Sequence, residues 1–275
     1  MPELPETETI ARDLNAAVAG RTVTGVKVTK PDVLREIGRI SFARRLTGAK
    51  ILSSWRRAKL IVTDLSTGGR LVVQPRFTGA LIVEDSGTDP SIIRYSTLRL
   101  SLDDGRALHY CDVRRLGTVA LMNERRFTEY SGALGIEPLD QTFTPTQLSG
   151  VLRGSSQPVK KVLMDQRRIA GIGNIYANEA LWRAGIDPSR AAKSIDSQAS
   201  ERLWNEIVSV LRESIEARGT SFRDYRDARG ERGRFAEKLQ AYGRGGEPCL
   251  RCGATLILTH AVDGRATVLC ARCQK

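Results

Sequence analysis

Histidine is almost missing from this chain: His109 and His260 are the only two in 275 residues. That scarcity argues against a serine–histidine nucleophile and against a catalytic metal held by histidines. No uninterrupted apolar run approaches the roughly 20 residues needed to cross a bilayer. The first ten residues, MPELPETETI, also lack the basic stretch and following apolar run of a secretory leader. The expectation is a soluble, cytosolic protein. No segment repeats along the chain. Acid is short as well, with 31 Asp plus Glu against 43 Lys plus Arg, a formal charge of +12. Such a surplus favours a polyanionic partner, nucleic acid first, over a merely basic soluble surface.

What is present suits a globular protein. Hydrophobic residues at 41% are ample for packed cores, and 275 residues fit two domains with a small appended module. Four of the five cysteines, Cys249, Cys252, Cys270 and Cys273, follow the pattern C-x2-C-x17-C-x2-C. In a cytosolic chain this spacing signals zinc rather than disulfides, and four thiolates close the coordination shell, so one Zn2+ there is structural. Cys111 stands alone among apolar residues and reads as a small buried hydrophobe.

Apolar positions Ile10, Leu14 and Val18, with Ala11, recur at helical spacing and predict a helix from about Glu6 to Ala19. Pro5 suits its first turn, Glu6 and Glu8 suit the positive end of its dipole, and Gly20 stops it. From Thr22 to Met122 short β-rich segments, among them KLIVTDL, RLVVQ, ALIVE and STLRLSL, alternate with glycine and aspartate turns, the pattern of a sandwich or barrel. Residues 131–157 are rich in Gly, Ser, Pro and Thr and read as a junction. Beyond it the pattern turns helical, over NIYANEALWRA, with Asn174 as a possible N-cap, and over a long segment ending at Gly219. Residues 220–246 begin with arginine-rich, aperiodic sequence that reads as a mobile loop leading to the cysteines. The boundaries that follow are 1–130 for an N-terminal domain, 131–157 for the junction and the start of the helical domain, 158–240 for the helical domain itself and 241–275 for the zinc module.

Three stretches suggest chemistry. GIGN, directly before a helix, would let a phosphate approach free N–H groups, helped by the basic residues of VKKVLMDQRR. VDGRATVL, between the two cysteine pairs, forms a hairpin with Arg265 at its tip, either solvated or acting as a rigid phosphate fork. The third is the beginning of the chain. A small second residue permits removal of the initiator Met, leaving Pro2 with a free secondary amine. An α-amino group titrates near about 8, far below lysine, so more of it is nucleophilic at neutral pH. Its attack on a sugar carbon would give an iminium that acts as an electron sink. Glu3 beside it could shuttle protons, and Glu6 could hold the geometry.

Taken in order, MPELPETE, WRRAKLIV, DVRRLG, GIGNIYANEALWRAGIDP, LQAYGRGGEPCLRCG and GRATVLCARCQK resemble the formamidopyrimidine-DNA glycosylase and endonuclease VIII family over essentially the whole chain. The resemblance implies an α+β multidomain fold: an N-terminal helix plus β-sandwich, a helix–two-turns–helix domain and a C-terminal zinc ribbon, with DNA in the cleft between the halves. It implies a bifunctional DNA glycosylase and AP lyase of base excision repair, monomeric, acting on damaged duplex DNA. Pro2 would be the Schiff-base nucleophile, Glu3 the acid/base group, and Glu6 a wall of the lesion pocket. Lys59 would contact the phosphate beside the lesion and assist chemistry. Asn174 and Arg265 would clamp phosphates, joined by Lys160 and Tyr242, and Gln74 counts among the DNA-binding residues. The loop around 221–237 would fold over the flipped base.

The chain departs from the family where side chains enter the duplex. Family members that excise 8-oxoguanine read GMSG and DPRRFG, but this chain reads PRFTG and DVRRLG. Phe77 thus stands for Met and Leu116 for Phe, while Arg114 is kept, and Gln74 and Pro75 replace the usual residues just before. The endonuclease VIII wedge is not reproduced either. The first expectation is excision of 8-oxoguanine and formamidopyrimidines followed by β,δ-elimination. The alternatives are a paralogue for oxidised pyrimidines, hydantoins or abasic sites, and a non-catalytic binder of damaged DNA.

Overall fold

The computed structural model describes residues 2–222 and 225–275 and divides into two compact units. The first comprises Met1–Gly132 together with Ala217–Ala236; the second comprises Ala133–Glu216 and Glu237–Lys275. Among the described residues no helix is long and apolar enough to cross a membrane.

In the first unit, helix α1 (Leu4–Val18) begins two residues before the expected Glu6, because Glu3 is its N-cap. Glu3 and Glu6 form a reciprocal capping box, and Pro5 occupies the first turn, where a missing N–H costs nothing. The strands follow: β1 (Val23–Val28), the short β2 (Leu34–Arg35), then helix α2 (Arg39–Leu46), β3 (Ile51–Arg57), β4 (Leu60–Leu65), β5 (Gly69–Gln74) and β6 (Gly79–Glu84). A single turn, α3 (Pro90–Ile93), precedes β7 (Ser96–Leu102), β8 (Ala107–Asp112), β9 (Thr118–Asn123) and helix α4 (Glu124–Gly132). They build two sheets, ordered β1-β7-β8-β6 and β2-β9-β5-β4-β3, antiparallel except for the β2–β9 pair. Leu98, Leu100 and Leu108 of one sheet, Ile61, Leu71 and Val73 of the other, and Ile10, Leu14 and Val18 of α1 share a single core. This is the expected helix plus β-sandwich. Cys111 is buried as expected, and burial pushes its thiol up to about 12.

The described residues of 217–236, most of them in the stretch whose sequence reads as a mobile loop, are held by charge as well as by apolar packing, with Tyr225 and Ala228 in the core of the first unit and Phe235 buried. Arg218 adopts a left-handed backbone, φ 62°, and its guanidinium bridges Asp13 of α1 and Asp227. Asp227 is fully buried and also accepts the N–H groups of Arg229 at 3.0 Å and Glu231 at 2.9 Å. Burial pushes the Asp13 carboxyl up, against the pull of Arg218. Arg223 and Asp224, within this loop, lie outside the described residues.

The second unit holds helices α5 (Pro145–Arg153), α6 (Val159–Met164), α7 (Asn174–Ala184) and α8 (Ser197–Glu216), then the hairpin β10 (Ile257–Thr259) and β11 (Thr267–Leu269). Helix α5 starts inside the stretch that reads as a junction. Thr144 caps it by accepting the Gln147 N–H, and Leu148 and Leu152 are its buried stripe. Helix α8 buries Leu203, Ile207, Val210 and Leu211 on one face. Helix α7 is buried on nearly every side, and among its residues is a carboxylate, Glu179, with no exposed surface. Its oxygens accept three successive N–H groups, of Gln240 at 3.0 Å and of Ala241 and Tyr242 at 2.8 Å. That bond set fixes the chain entering the zinc module onto the helical core. Glu179→Leu strands the three donors. It should cost about 3 kcal/mol or more, measured by urea unfolding followed by tryptophan fluorescence. A loss below about 1 kcal/mol would contradict the anchoring role.

Candidate active site and nucleic-acid-binding residues

The start of the first unit gathers four expected residues. Pro2 and Glu3 are buried ahead of α1, and Glu6 is 1% exposed in its first turn. Glu6 Oε2 accepts the Glu3 N–H at 2.8 Å, and Oε1 accepts the Thr220 N–H at 2.7 Å. One carboxylate therefore holds the backbone next to Pro2 and the loop that follows α8. Tyr225 of that loop donates its hydroxyl to the Glu6 carbonyl at 3.4 Å. Burial, and then the Glu6 and Asp227 carboxylates, push that phenol well above its usual value.

Lys59 sits in the two-residue turn between β3 and β4, where Arg57 pairs with Leu60. The turn is tight enough to force Ala58 to a left-handed φ of 53°, a strained choice for a residue with a side chain. Two contacts dock it against α1. The Thr7 hydroxyl faces the Glu3 carbonyl at 2.8 Å and the Ala58 carbonyl at 3.4 Å. Glu8 pairs with Arg56 at 2.8 Å. Burial opposes ionisation of Glu8, but Arg56 and Arg12 outweigh it and hold the carboxyl below its usual range. The turn that carries Lys59 is thereby held against the first turn of α1, and Lys59 is itself buried. Thr7 is a residue the sequence reading missed: nothing in its local pattern distinguishes it from any helical threonine.

The loops after β5 and β8 carry Phe77, Arg114 and Leu116, the first and last of which depart from the family. Phe77 is 47% exposed and Leu116 39% exposed. The Arg114 guanidinium carbon lies 5.3 Å from the centre of the Phe77 ring. Gln74, the last residue of β5, is half-buried and pairs with Thr118 of β9.

In the second unit the N-terminus of α7 and the β10–β11 hairpin are laced together. Asn174 is the first helical residue and not the N-cap, which is Gly173. Its Nδ2 donates to the Ala266 carbonyl at 2.9 Å. Asn178, one turn on and buried, accepts the Val268 N–H at 2.8 Å through Oδ1. The outcome for Lys160 differs from the expected phosphate contact. It is 0% exposed, and its Nζ donates to Thr267 Oγ1 at 2.7 Å and pairs with Asp263 at 3.2 Å. It braces the hairpin instead of meeting solvent. Arg265, between Asp263 and Thr267, remains exposed beside these anchors. Tyr242 is half-buried, fixed by its N–H to Glu179.

Cys249, Cys252, Cys270 and Cys273 bring their Sγ atoms within 4.8 Å of one another. The Cys252–Cys270 and Cys249–Cys273 separations are 3.5 and 4.0 Å. Four sulfurs about 2.3 Å from one tetrahedral zinc stand about 3.8 Å apart, so this thiolate cage fits a structural Zn2+. No disulfide links the four. The cage carries the hairpin that presents Arg265. Stripping zinc with a chelator, or Cys252→Ser, should abolish DNA binding while the β-sheet circular dichroism of the first unit persists, because metal binding and folding are coupled in such modules. Full zinc content in a Cys252→Ser/Cys273→Ser variant would contradict the assignment.

Comparison with known proteins converges on one family. Residues 1–119 match the formamidopyrimidine-DNA glycosylase N-terminal domain, residues 134–226 its H2TH domain, and residues 246–275 the zinc finger found in FPG and IleRS. Formamidopyrimidine-DNA glycosylases of Heliobacterium modesticaldum and Desulfitobacterium hafniense are each 41% identical, with 100% of both chains covered. MutM (Fpg) of Thermus thermophilus is 35% identical, with a TM-score of 0.87 over 99% of this chain and 98% of that one. The Lactococcus lactis Fpg in complex with DNA containing N7-benzyl-Fapy-dG is 30% identical, with a TM-score of 0.91 over 100% of both chains. This chain belongs to the formamidopyrimidine-DNA glycosylase family.

Proposed function

We propose that this chain, a DNA glycosylase of base excision repair by family, excises oxidised purines, 8-oxoguanine and formamidopyrimidines, from duplex DNA and then cuts the strand as an AP lyase. The observation that carries the reading is the arm Pro2–Glu3 held at the start of α1 by Glu6, with the Ala58–Lys59 turn docked on α1 through Thr7. Once Pro2 is the terminal residue, its secondary amine attacks C1′ of the damaged nucleotide and the base departs. Glu3 delivers the proton that opens the sugar. The resulting iminium withdraws electrons, so the C2′ proton is lost and the 3′ phosphate leaves by β-elimination. A δ-elimination then expels the 5′ phosphate. Lys59 neutralises the phosphate beside the lesion. Asn174, Tyr242 and Arg265 grip the backbone, and Gln74 approaches it next to the lesion. Lys160 acts at one remove, through the hairpin that it braces. The protein works as a monomer in the cytoplasm, on nucleoid DNA.

Phe77, Arg114 and Leu116 fill the space left by the flipped base. The exposure of Phe77 and Leu116 on adjacent loops supports this role, since an aromatic ring and an isobutyl group gain nothing by facing water. Leu116 lacks a ring and fills space without stacking on the orphaned base, so discrimination between opposite bases should be weak.

Two experiments test these assignments. Borohydride should trap a covalent adduct on an abasic-site duplex, and Pro2→Gly should lose most of it. Glu3→Gln should lose base excision more than lyase activity on a preformed abasic site. Undiminished trapping in Pro2→Gly would refute the nucleophile. For the wedge, single-turnover excision from four duplexes differing only in the opposite base should vary little, and Leu116→Phe should sharpen the preference for cytosine. A strong cytosine preference in the unmodified chain, unchanged by Leu116→Phe, would overturn that part.

A further inference from the structure

The loops that carry Phe77 and Arg114–Leu116 are separated by some forty residues of sequence, yet a single buried side chain joins them. Asp112, at the end of β8, is 2% exposed. Its Oδ1 accepts the Thr78 hydroxyl, and its Oδ2 accepts the Gly117 N–H at 2.8 Å and the Tyr110 hydroxyl at 3.1 Å. Thr78 closes the circuit, because its Oγ1 also accepts the Arg114 N–H at 3.1 Å. The two oxygens of one carboxylate thus hold opposite loops. Packing leaves no slack around them. A Cβ on Gly79 would lie 2.6 Å from the Tyr110 hydroxyl, and one on Gly117 only 1.8 Å from it. Each loop also contains an arginine forced into the left-handed region, Arg76 at φ 53° and Arg115 at φ 52°. Strain of this kind persists only where the surroundings over-determine the backbone.

We infer that Asp112 is a positioning residue for DNA reading: its carboxylate clasps the two loops into one rigid prong, so that Phe77, Arg114 and Leu116 enter the base stack already in register. The inference rests on the proposed role of those three side chains. A prong ordered in advance loses little side-chain and loop entropy on entering the duplex, whereas two independent loops must be ordered at that moment. Burial, reinforced by the Asp112 carboxylate, pushes the Tyr110 phenol well above its usual value, so it remains a donor to Asp112 at any working pH. Asp112 touches neither the sugar nor the scissile phosphates in this account. Its effect is confined to substrates that have a base stack to open.

The test compares a lesion duplex with an abasic site in single-stranded DNA, where no stack needs opening. The variants are Asp112→Asn, which places a second donor against the Thr78, Tyr110 or Gly117 donors, and Thr78→Val, which cuts the link to Arg114 while leaving the carboxylate in place. Both should weaken single-turnover activity on the duplex by about 10- to 100-fold, mainly as a raised half-saturating enzyme concentration. The loss on the single strand should be at least fivefold smaller. Equal losses on the two substrates, or wild-type behaviour of Thr78→Val on the duplex, would overturn the clasp. If Asp112→Asn does not fold, Thr78→Val decides alone. Phe77→Ala, run alongside, separates the two layers. If it behaves as wild type on the duplex, the wedge reading fails and the clasp with it. If it loses duplex activity while the folded clasp variants do not, only the clasp fails.

Discussion

The interaction on which the first unit's chemistry depends is the buried Glu6 carboxylate, shared between the N–H groups of Glu3 and Thr220. An N-terminal residue is ordinarily the most mobile part of a chain. A nucleophile placed there spends most of its time out of position unless the first helix captures it. The capping box does that here: the bonds that start α1 also fix the peptide next to Pro2. Because the second oxygen of Glu6 holds Thr220, the same carboxylate ties the arm to a segment more than two hundred residues away. Removing that charge would leave two buried donors unpaired, which is the costly direction for a hydrogen bond to fail.

The same device recurs at other points where backbone must be held without apolar bulk. Asp227 gathers the chain after Arg218, Glu179 gathers Gln240 to Tyr242, and Asp112 gathers the loops around Phe77 and Leu116. Lys160 is the cationic counterpart inside the zinc hairpin. In each case one buried charge satisfies several groups at once, which is the condition under which burying it is tolerable. A protein with a large positive surplus uses its scarcer carboxylates as internal fasteners, and a few arginines, Arg56 and Arg218 among them, pair with such carboxylates. The zinc performs the same office where the ribbon is too small to have a core of its own.

Much of this architecture was legible in the residues. The stripe Ile10–Leu14–Val18, the alternating β segments and the cysteine spacing each report a local rule that tertiary structure respected. The proposed reactive end was suggested by sequence alone, because proline at position 2 and glutamate at position 3 have chemical meaning by themselves. Elements went unseen where local composition misled. Helix α5 lies in Gly-, Ser- and Thr-rich sequence, and only Thr144-Pro145 and the Leu148–Leu152 spacing announce it. Helix α2 carries three arginines and buries only Phe42 and Leu46, too few for a clear stripe. The described part of segment 217–236 is held by the Arg218–Asp227 pair together with the buried Tyr225, Ala228 and Phe235, and a fastening by charge leaves no periodic trace. Lys160 entered through the resemblance, and its burial inside the hairpin was not legible because sequence gives charge but not exposure. Asp112 and Thr7 were invisible for the complementary reason, that the partner that joins each to a second element, Thr78 and Ala58, is distant in sequence and unremarkable by itself.

The central claim is that a terminal proline, held by α1, forms the covalent link to DNA. The most direct measurement is peptide mapping of the borohydride-reduced adduct by mass spectrometry after trypsin and nuclease digestion. The account predicts that the sugar remnant sits on the peptide Pro2–Arg12, at its first residue, with the initiator Met gone. A remnant on a peptide containing Lys59, or an intact Met1 on the adducted chain, would contradict it.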